Sequence, residues 1–325
     1  MGRSGPAATR LGWAPVTVPG APAAWAELTR ECGRLTLADN LAPAIKLAEE
    51  GHAVALTVAW YWHKALQRYT AGIPGVDPAV FSEWYRVFAA DGRTPGPGEN
   101  WRAPDHARTL ARIAESDARD LYEGKLAKQI VEAAEWTGGF LRAGDLRGFS
   151  PEWVEPISVP YKGFDVWEIP PNGQGITALM ALNILGAYSP THRDDPAVIH
   201  RQLEAMKLAF ADSHAYVADQ RFAAVPVQAL LDPAYARQRA SMITETAQDF
   251  NAGTPMPGGT VYLCTADSDG TMVSYIQSNY MGFGSGIVVP DTGIALNNRG
   301  NCFSLAEGHP NALMPGERPY NTIIP

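Results

Sequence analysis

Cysteine is scarce in this chain: three residues, at positions 32, 264 and 302, an odd number at wide spacing. No Cys-x-x-Cys pair occurs, so neither a disulfide framework nor a zinc knuckle is signalled. Charge is also thin. Charged residues make up 18% of the chain, and 34 acidic residues against 26 basic ones leave a net charge of −8. The acidic residues are spread along the sequence, and no basic face is available for a phosphate backbone, which argues against nucleic-acid binding. Long apolar runs are missing too. The longest, residues 52–62 and 175–188, are too short to span a bilayer. The first residues, MGRSGPAATRLGW, lack the apolar centre of a signal peptide. The expectation is a cytoplasmic protein with neither nucleic-acid nor membrane partners.

Several catalytic signatures are lacking as well. None of the seven histidines falls in His-Glu-x-x-His or another paired-ligand spacing, so no metal is expected. His214 lies on an apolar helical stripe and reads as a satisfied core histidine. His192, near Asp194 and Asp195, reads as part of a solvated, helix-capping turn. A serine hydrolase of the nucleophile-elbow kind needs Gly-x-Ser-x-Gly between strand and helix. The sequence GFGSG at residues 282–286 has its serine in the wrong place and sits between strands. It also lacks the lysine and following helix of a phosphate loop.

What is present is a chain of 325 residues, 46% hydrophobic, long enough for one large domain or two ordinary ones. Helical patterns dominate from about residue 21 to 248. Residues 43–51 (PAIKLAEEG) have proline in the first turn and glycine after the last. Residues 105–116 and 122–136 read as amphipathic helices. Residues 196–219 read as a helix with Ile199, Leu203, Met206, Phe210, His214 and Val217 on one stripe. Residues 157–161 and 164–169, separated by Lys162-Gly163, read as a hairpin. After a Pro- and Gly-rich stretch at residues 249–259 the period changes to two. Residues 260–266 and 271–278 read as antiparallel strands around the turn Asp267-Ser268-Asp269-Gly270, followed by strands at 287–289 and 294–298.

Residues 258–270 read GGTVYLCTADSDG, so Gly258-Gly259 abuts a threonine that opens a strand. One reading is a plain hairpin whose first strand begins with Thr260. The other is cleavage of the Gly259–Thr260 bond, which makes Thr260 an N-terminal nucleophile. A threonine hydroxyl needs a base, and a free α-amino group with a pKa of about 8 supplies one. Within an intact chain that nitrogen is an amide and cannot act so. Two glycines remove Cβ hindrance around the bond to be attacked. Spacing alone leaves both readings open.

From Thr260 onward the chain resembles the γ-glutamyltranspeptidase family of N-terminal-nucleophile hydrolases. It carries, in the family's order, the threonine-led strand, Asp267-Ser268-Asp269-Gly270, a second strand, Phe283-Gly284-Ser285-Gly286, Leu296-Asn297-Asn298 and Arg318-Pro319. Similarity continues upstream through VTVPGA (16–21), LAPAIKLAEEG (41–51), ARTLARIAE (107–115), LYEGKLAKQI (121–130), EWVEPISVPYKGF (152–164), PPNGQG (170–175), EAMKLAFAD (204–212) and VPVQALLDPAYA (225–236).

The resemblance implies an α+β protein with the αββα sandwich of the N-terminal-nucleophile hydrolases. Residues 1–259 would be the remainder of the large, mainly helical subunit and 260–325 the start of the small one, a β-meander, the two intertwined in one domain. It implies a self-cleaving zymogen with no cofactor, two subunits after cleavage and a homodimer as an option. Its chemistry would be transfer or hydrolysis of the γ-glutamyl group of glutathione-like amides through an acyl-threonine, with water or an amine as acceptor. By position, Thr260 is the nucleophile and Ser278 supports it, the alternative for Ser278 being a strand-end hydroxyl bonded to backbone. Relative to the family the chain is expected to be truncated at both ends, without the early substrate-binding arginine and the later Gly-Gly of the oxyanion hole.

The departures bear on substrate choice. Asn279 and Tyr280 stand near the family's loop asparagine, Asn301 and Cys302 stand where glutamate-specific members carry acidic residues, and Arg299 stands at a glutamine-like position before them. Asn321 and Thr322 replace paired serines. Together these seven form the expected substrate-binding set. A thiol does not provide the charge-assisted hydrogen bonds that an α-ammonium requires, whereas Arg299 favours a negative group. The expectation is therefore a divergent γ-glutamyltransferase-like enzyme. The rivals are a glutaryl- or cephalosporin-type acylase on the same scaffold, and a non-catalytic family member or fragment.

Overall fold

A computed structural model describes residues 10–250 and 260–323. Its helices are interspersed with three two-stranded antiparallel sheets. The chain divides into two compact units. The first takes its described residues from Trp153–Ser278 and Cys302–Pro325, the second from Thr9–Glu152 and Asn279–Asn301. Each unit thus draws on both sides of position 260, and the junction at 259/260 is not the boundary between them.

The first unit carries two hairpins with helices between them in sequence. Strands Ile157–Tyr161 and Phe164–Glu168 pair around Lys162 and Gly163, both at positive φ. Such turns match the strand twist. The helix Gly175–Leu185 is apolar all round, with Ile176, Leu179, Met180, Ala181 and Ile184 buried. It packs against Pro196–Tyr216, which is N-capped by the Asp195 side chain accepting from the Ala197 amide.

The face of Pro196–Tyr216 that this packing buries is not the expected stripe. Buried are Val198, Glu204, Ala205, Leu208, Ala209, Asp212 and Ser213, while Ile199 is 44% and Leu203 59% exposed. Small side chains at 205, 209 and 213 let the apolar partner helix approach closely, and that contact outweighs the bulkier stripe. His214 is half-buried between the rings of Phe210 and Tyr320, and its Nε2 has no hydrogen-bond partner. It is a packed histidine but not a satisfied one, and burial lowers its pKa. His192 sits in the exposed turn before the helix, 3.8 Å from Asp194, as expected.

In the second unit, the helix Leu37–Glu50 begins earlier than residues 43–51 suggest, because Thr36 and Asp39 form a capping box. Pro43 is accommodated inside it, and Gly51 at φ +89° ends it. The pattern at 122–136 is broken at Gly124, where the carboxylate of Asp120 occupies the space a Cβ would need. Helices Arg119–Glu123 and Lys125–Thr137 result. The segments 287–289 and 294–298 exchange hairpin-like bonds, Val289 N–H to Ile294 O and Leu296 N–H to Ile287 O, both 2.9 Å. Among the described residues they form one isolated bridge, Val288 with Ala295, and no strand. The expected meander therefore reduces to one hairpin followed by tightly bonded turns.

An aromatic cluster anchors this unit. Trp84 is fully buried, 4.7 Å from the Tyr69 ring and 5.3 Å from that of Phe283, with Phe81 and Phe88 beside it. Phe283 belongs to the Gly-rich loop. Gly286, at φ +78°, faces Phe81 where a side chain would collide, so this loop is a packing element rather than a phosphate cradle. Trp84→Ala should cost about 3–5 kcal/mol in urea unfolding. Trp84→Phe, which keeps an aromatic ring in the cluster and removes an indole N–H that has no partner, should cost clearly less.

Candidate functional site

The strands Thr260–Ala266 and Met272–Ser278 pair in a register that sets Thr260 directly opposite Ser278. Opposed positions of an antiparallel ladder are those whose side chains can interact. The turn holds this register from the far end. The Asp267 carboxylate accepts from the amides of Asp269 (3.0 Å) and Thr271 (2.9 Å), and Gly270 takes φ +85°. Gly258 and Gly259 lie outside the described residues.

The expected substrate-binding residues fall in both units. Cys302, Asn321 and Thr322 share the first unit with Thr260 and Ser278, while Asn279, Tyr280, Arg299 and Asn301 belong to the second. In the second unit the Arg299 guanidinium carbon lies 4.6 Å from the centre of the Tyr280 ring, and Arg299 is 6% exposed. Stacking on an aromatic face suits a desolvated guanidinium. Tyr280 sits at φ +76°, a conformation that costs a bulky residue on the order of 1–3 kcal/mol and persists only where neighbours impose it.

Those neighbours include the Leu296-Asn297-Asn298 motif. The Asn298 amide N–H donates to Asn279 O (3.1 Å), and its side-chain Oδ1 accepts from the Met281 amide (3.2 Å). Asn297 Oδ1 accepts from Thr17 Oγ1 (2.9 Å) and from the Arg299 amide (3.0 Å). Two asparagines thus hold the backbone on either side of the stacked pair.

In the first unit, Asn321 is built into the PPNGQG turn. Its N–H donates to Asn172 O (2.9 Å) and its C=O accepts from Gln174 N–H (2.8 Å), while Asn172 Nδ2 donates to Pro319 O (2.7 Å). The Tyr320 hydroxyl meets Ser213 Oγ at 2.9 Å, and Ser213 accepts from Thr177 Oγ1 at 2.8 Å. The Cys302 carbonyl accepts from Asn311 Nδ2 (2.7 Å). Among the described residues no group of three His, Cys, Asp or Glu is placed to hold a metal ion.

One titratable residue beside this turn escaped the sequence reading. Glu168 ends its strand 6% exposed, packed against Gly175, and its Oε2 has no hydrogen-bond partner. Burial pushes its pKa up to about 7. The signal was available, since strand alternation places Glu168 on the same face as half-buried Val166.

The described residues contain no helix long and apolar enough to cross a membrane. Cephalosporin acylase from Bacillus halodurans has a solved structure that matches 98% of this chain at 52% identity with a TM-score of 0.92. The chain accordingly has the α+β fold of the N-terminal-nucleophile hydrolases. A family model described as Gamma-glutamyltranspeptidase matches residues 2–325, and the chain belongs to that family. It is 36% identical, over 95% of its length, to the glutathione hydrolase-like YwrD proenzyme of Bacillus subtilis. It is 35% identical, over 96%, to the oxamate amidohydrolase proenzyme of Klebsiella pneumoniae. The chain spans 58% of the length of each of these three proteins.

The Glu168 carboxyl generates a pH prediction. The unfolded chain loses this proton near the ordinary value of 4.5, whereas the folded protein keeps it to about 7. Stability from this group is therefore present at low pH and is lost as pH rises through that window. Glu168→Gln, uncharged throughout, should gain thermal stability relative to the parent at pH 8 and little at pH 5. Parallel melting curves that keep a constant gap at both pH values would refute the assignment.

Proposed function

We propose that this chain carries the nucleophile and part of the substrate site of a self-processing, threonine-dependent amide hydrolase or acyltransferase. The observation that carries this reading is the register of Thr260 opposite Ser278, at the first residue of a strand directly behind Gly258-Gly259, in a chain of this family. Thr260 Oγ attacks the Gly259 carbonyl, and the peptide bond gives way to an ester. Water opens the ester, leaving a carboxylate on Gly259 and a free α-amino group on Thr260. That amine then takes the hydroxyl proton as Oγ attacks the substrate's acyl carbon, the leaving amine is protonated, and an acyl-threonine remains. Water or an amine resolves it. Ser278 supports the nucleophile by hydrogen bonding.

For the acyl group, γ-glutamyl amides are the family-wide reading. A second reading, an acylase acting on glutaryl-like acyl groups, is favoured by Cys302 at a position where an α-ammonium needs a carboxylate, while the buried Arg299 stacked on Tyr280 serves either acyl group. A guanidinium suits a terminal carboxylate, which the two acyl groups share. Only the γ-glutamyl group adds an ammonium that must be paired when buried. The identity to a cephalosporin acylase supports the same preference.

Intact-mass analysis of the full-length protein should show two fragments parted between Gly259 and Thr260. Thr260→Ala should stay whole and lose turnover; activity surviving in an uncut chain would mean another nucleophile, and a wild-type chain that never parts would favour a non-catalytic member. Side-by-side hydrolysis of glutaryl and γ-glutamyl p-nitroanilides tests the acyl group. A higher kcat/KM on glutaryl anilide is expected, and a clear γ-glutamyl preference would overturn the acylase reading.

A further inference from the structure

Asn311 lies on neither strand of the catalytic hairpin and in none of the expected contacts, yet it is 5% exposed and bonded through every polar group it has. Its backbone C=O accepts from Ser304 N–H (2.8 Å) and its N–H donates to His309 Nδ1 (3.0 Å). Its side chain faces two ways. Nδ2 donates to the Cys302 carbonyl at 2.7 Å, and Oδ1 accepts from the Tyr320 amide at 2.8 Å. Cys302 is one expected substrate contact, and Tyr320 immediately precedes two others, Asn321 and Thr322.

We infer that Asn311 is a positioning residue that brackets the Cys302 and Tyr320–Asn321–Thr322 segments into one register and so sets the shape of the acyl-binding contacts. The inference rests on the reading of those three residues as substrate-binding. The chemistry selects an asparagine. The bracket must donate at one end and accept at the other, which a carboxylate cannot do and a hydroxyl cannot do across this span. The Tyr320 segment is already fixed on its other side. Its ring is buried with the hydroxyl on Ser213, and the Asn321 backbone is bonded to Asn172 and Gln174. Asn311 therefore ties the Cys302 backbone to a rigid reference. Removing its side chain leaves a Tyr320 N–H and a Cys302 C=O without their side-chain partner, and groups so deprived shift to find others.

Two variants of the full-length protein test this, Asn311→Ala and the isosteric Asn311→Asp, which keeps the acceptor toward Tyr320 but loses the donor toward Cys302. With the better of the two anilides as probe, Asn311→Ala should raise KM roughly tenfold, the equivalent of one lost hydrogen bond, while kcat stays within about twofold and self-cleavage proceeds. Asn311→Asp, which sets a buried carboxylate oxygen against the Cys302 carbonyl, should raise KM at least as much as Asn311→Ala. Hydrogen exchange read at single amides should accelerate at Tyr320 in Asn311→Ala, stay near the parent's at Tyr320 in Asn311→Asp, which keeps that acceptor, and not change along residues 261–277. A folded Asn311→Ala with parental KM, or one whose loss is confined to kcat, overturns the positioning role. If the parent protein hydrolyses neither anilide, the functional reading fails, and exchange alone decides the bracket: unchanged exchange at Tyr320 in Asn311→Ala sinks it, and faster exchange there upholds it.

Discussion

The backbone ladder that opposes Thr260 and Ser278 is the constraint on which the rest depends. Because side chains alternate along a strand, a slip by one residue would send every one of them to the other face. The register is set not at Thr260 but at the opposite end of the hairpin. There Asp267 folds the turn onto its own carboxylate, and Gly270 adopts a backbone conformation that other residues resist. A local turn motif thereby decides which residue faces the first residue of the strand.

Each unit secures its expected binding residues by the same device, asparagines whose side-chain amides pin backbone on two sides. Asn297 and Asn298 do this around Tyr280 and Arg299, and Asn311 does it between Cys302 and Tyr320. Each such bond contributes only about 0.5–1.5 kcal/mol net, whereas a buried group left unsatisfied costs about 1–3 kcal/mol. The asymmetry makes these brackets specify geometry more than they add stability. It also explains how a tyrosine comes to occupy positive φ beside a buried guanidinium: the surrounding bonds determine the backbone path, and the residue conforms.

Legibility in the sequence followed the range of the forces involved. The hairpin around Lys162-Gly163 and the one around Asp267–Gly270 were readable because turn chemistry is local. The helix at 196–216 was readable as a helix, but its buried face was misjudged. Ala205, Ala209 and Ser213 carry little hydrophobic weight, and their role exists only when a second helix lies against them. The break at Gly124 depends on a side chain four residues earlier, and the bridge Val288–Ala295 stayed short because the chain turns away around Thr292, whose hydroxyl bonds the Val289 carbonyl. Of the expected site residues, the family motifs supplied every position, whereas Glu168 and Asn311 went unnoticed. Glu168 sits in a strand whose alternation was passed over. Asn311 gains its meaning only from partners at positions 302 and 320.

What the sequence by itself determined is the order of elements, the family, and the placement of a threonine behind two glycines at the head of a strand. Turn chemistry, capping and motif spacing all act over a few residues and are written in the chain. What only the tertiary structure decided is which side chains are deprived of water: the carboxyl of Glu168, the guanidinium of Arg299, the amide of Asn311. Burial is a property of what packs around a group, brought from distant parts of the chain, and it changes the worth of a charge or a hydrogen bond without altering a single residue.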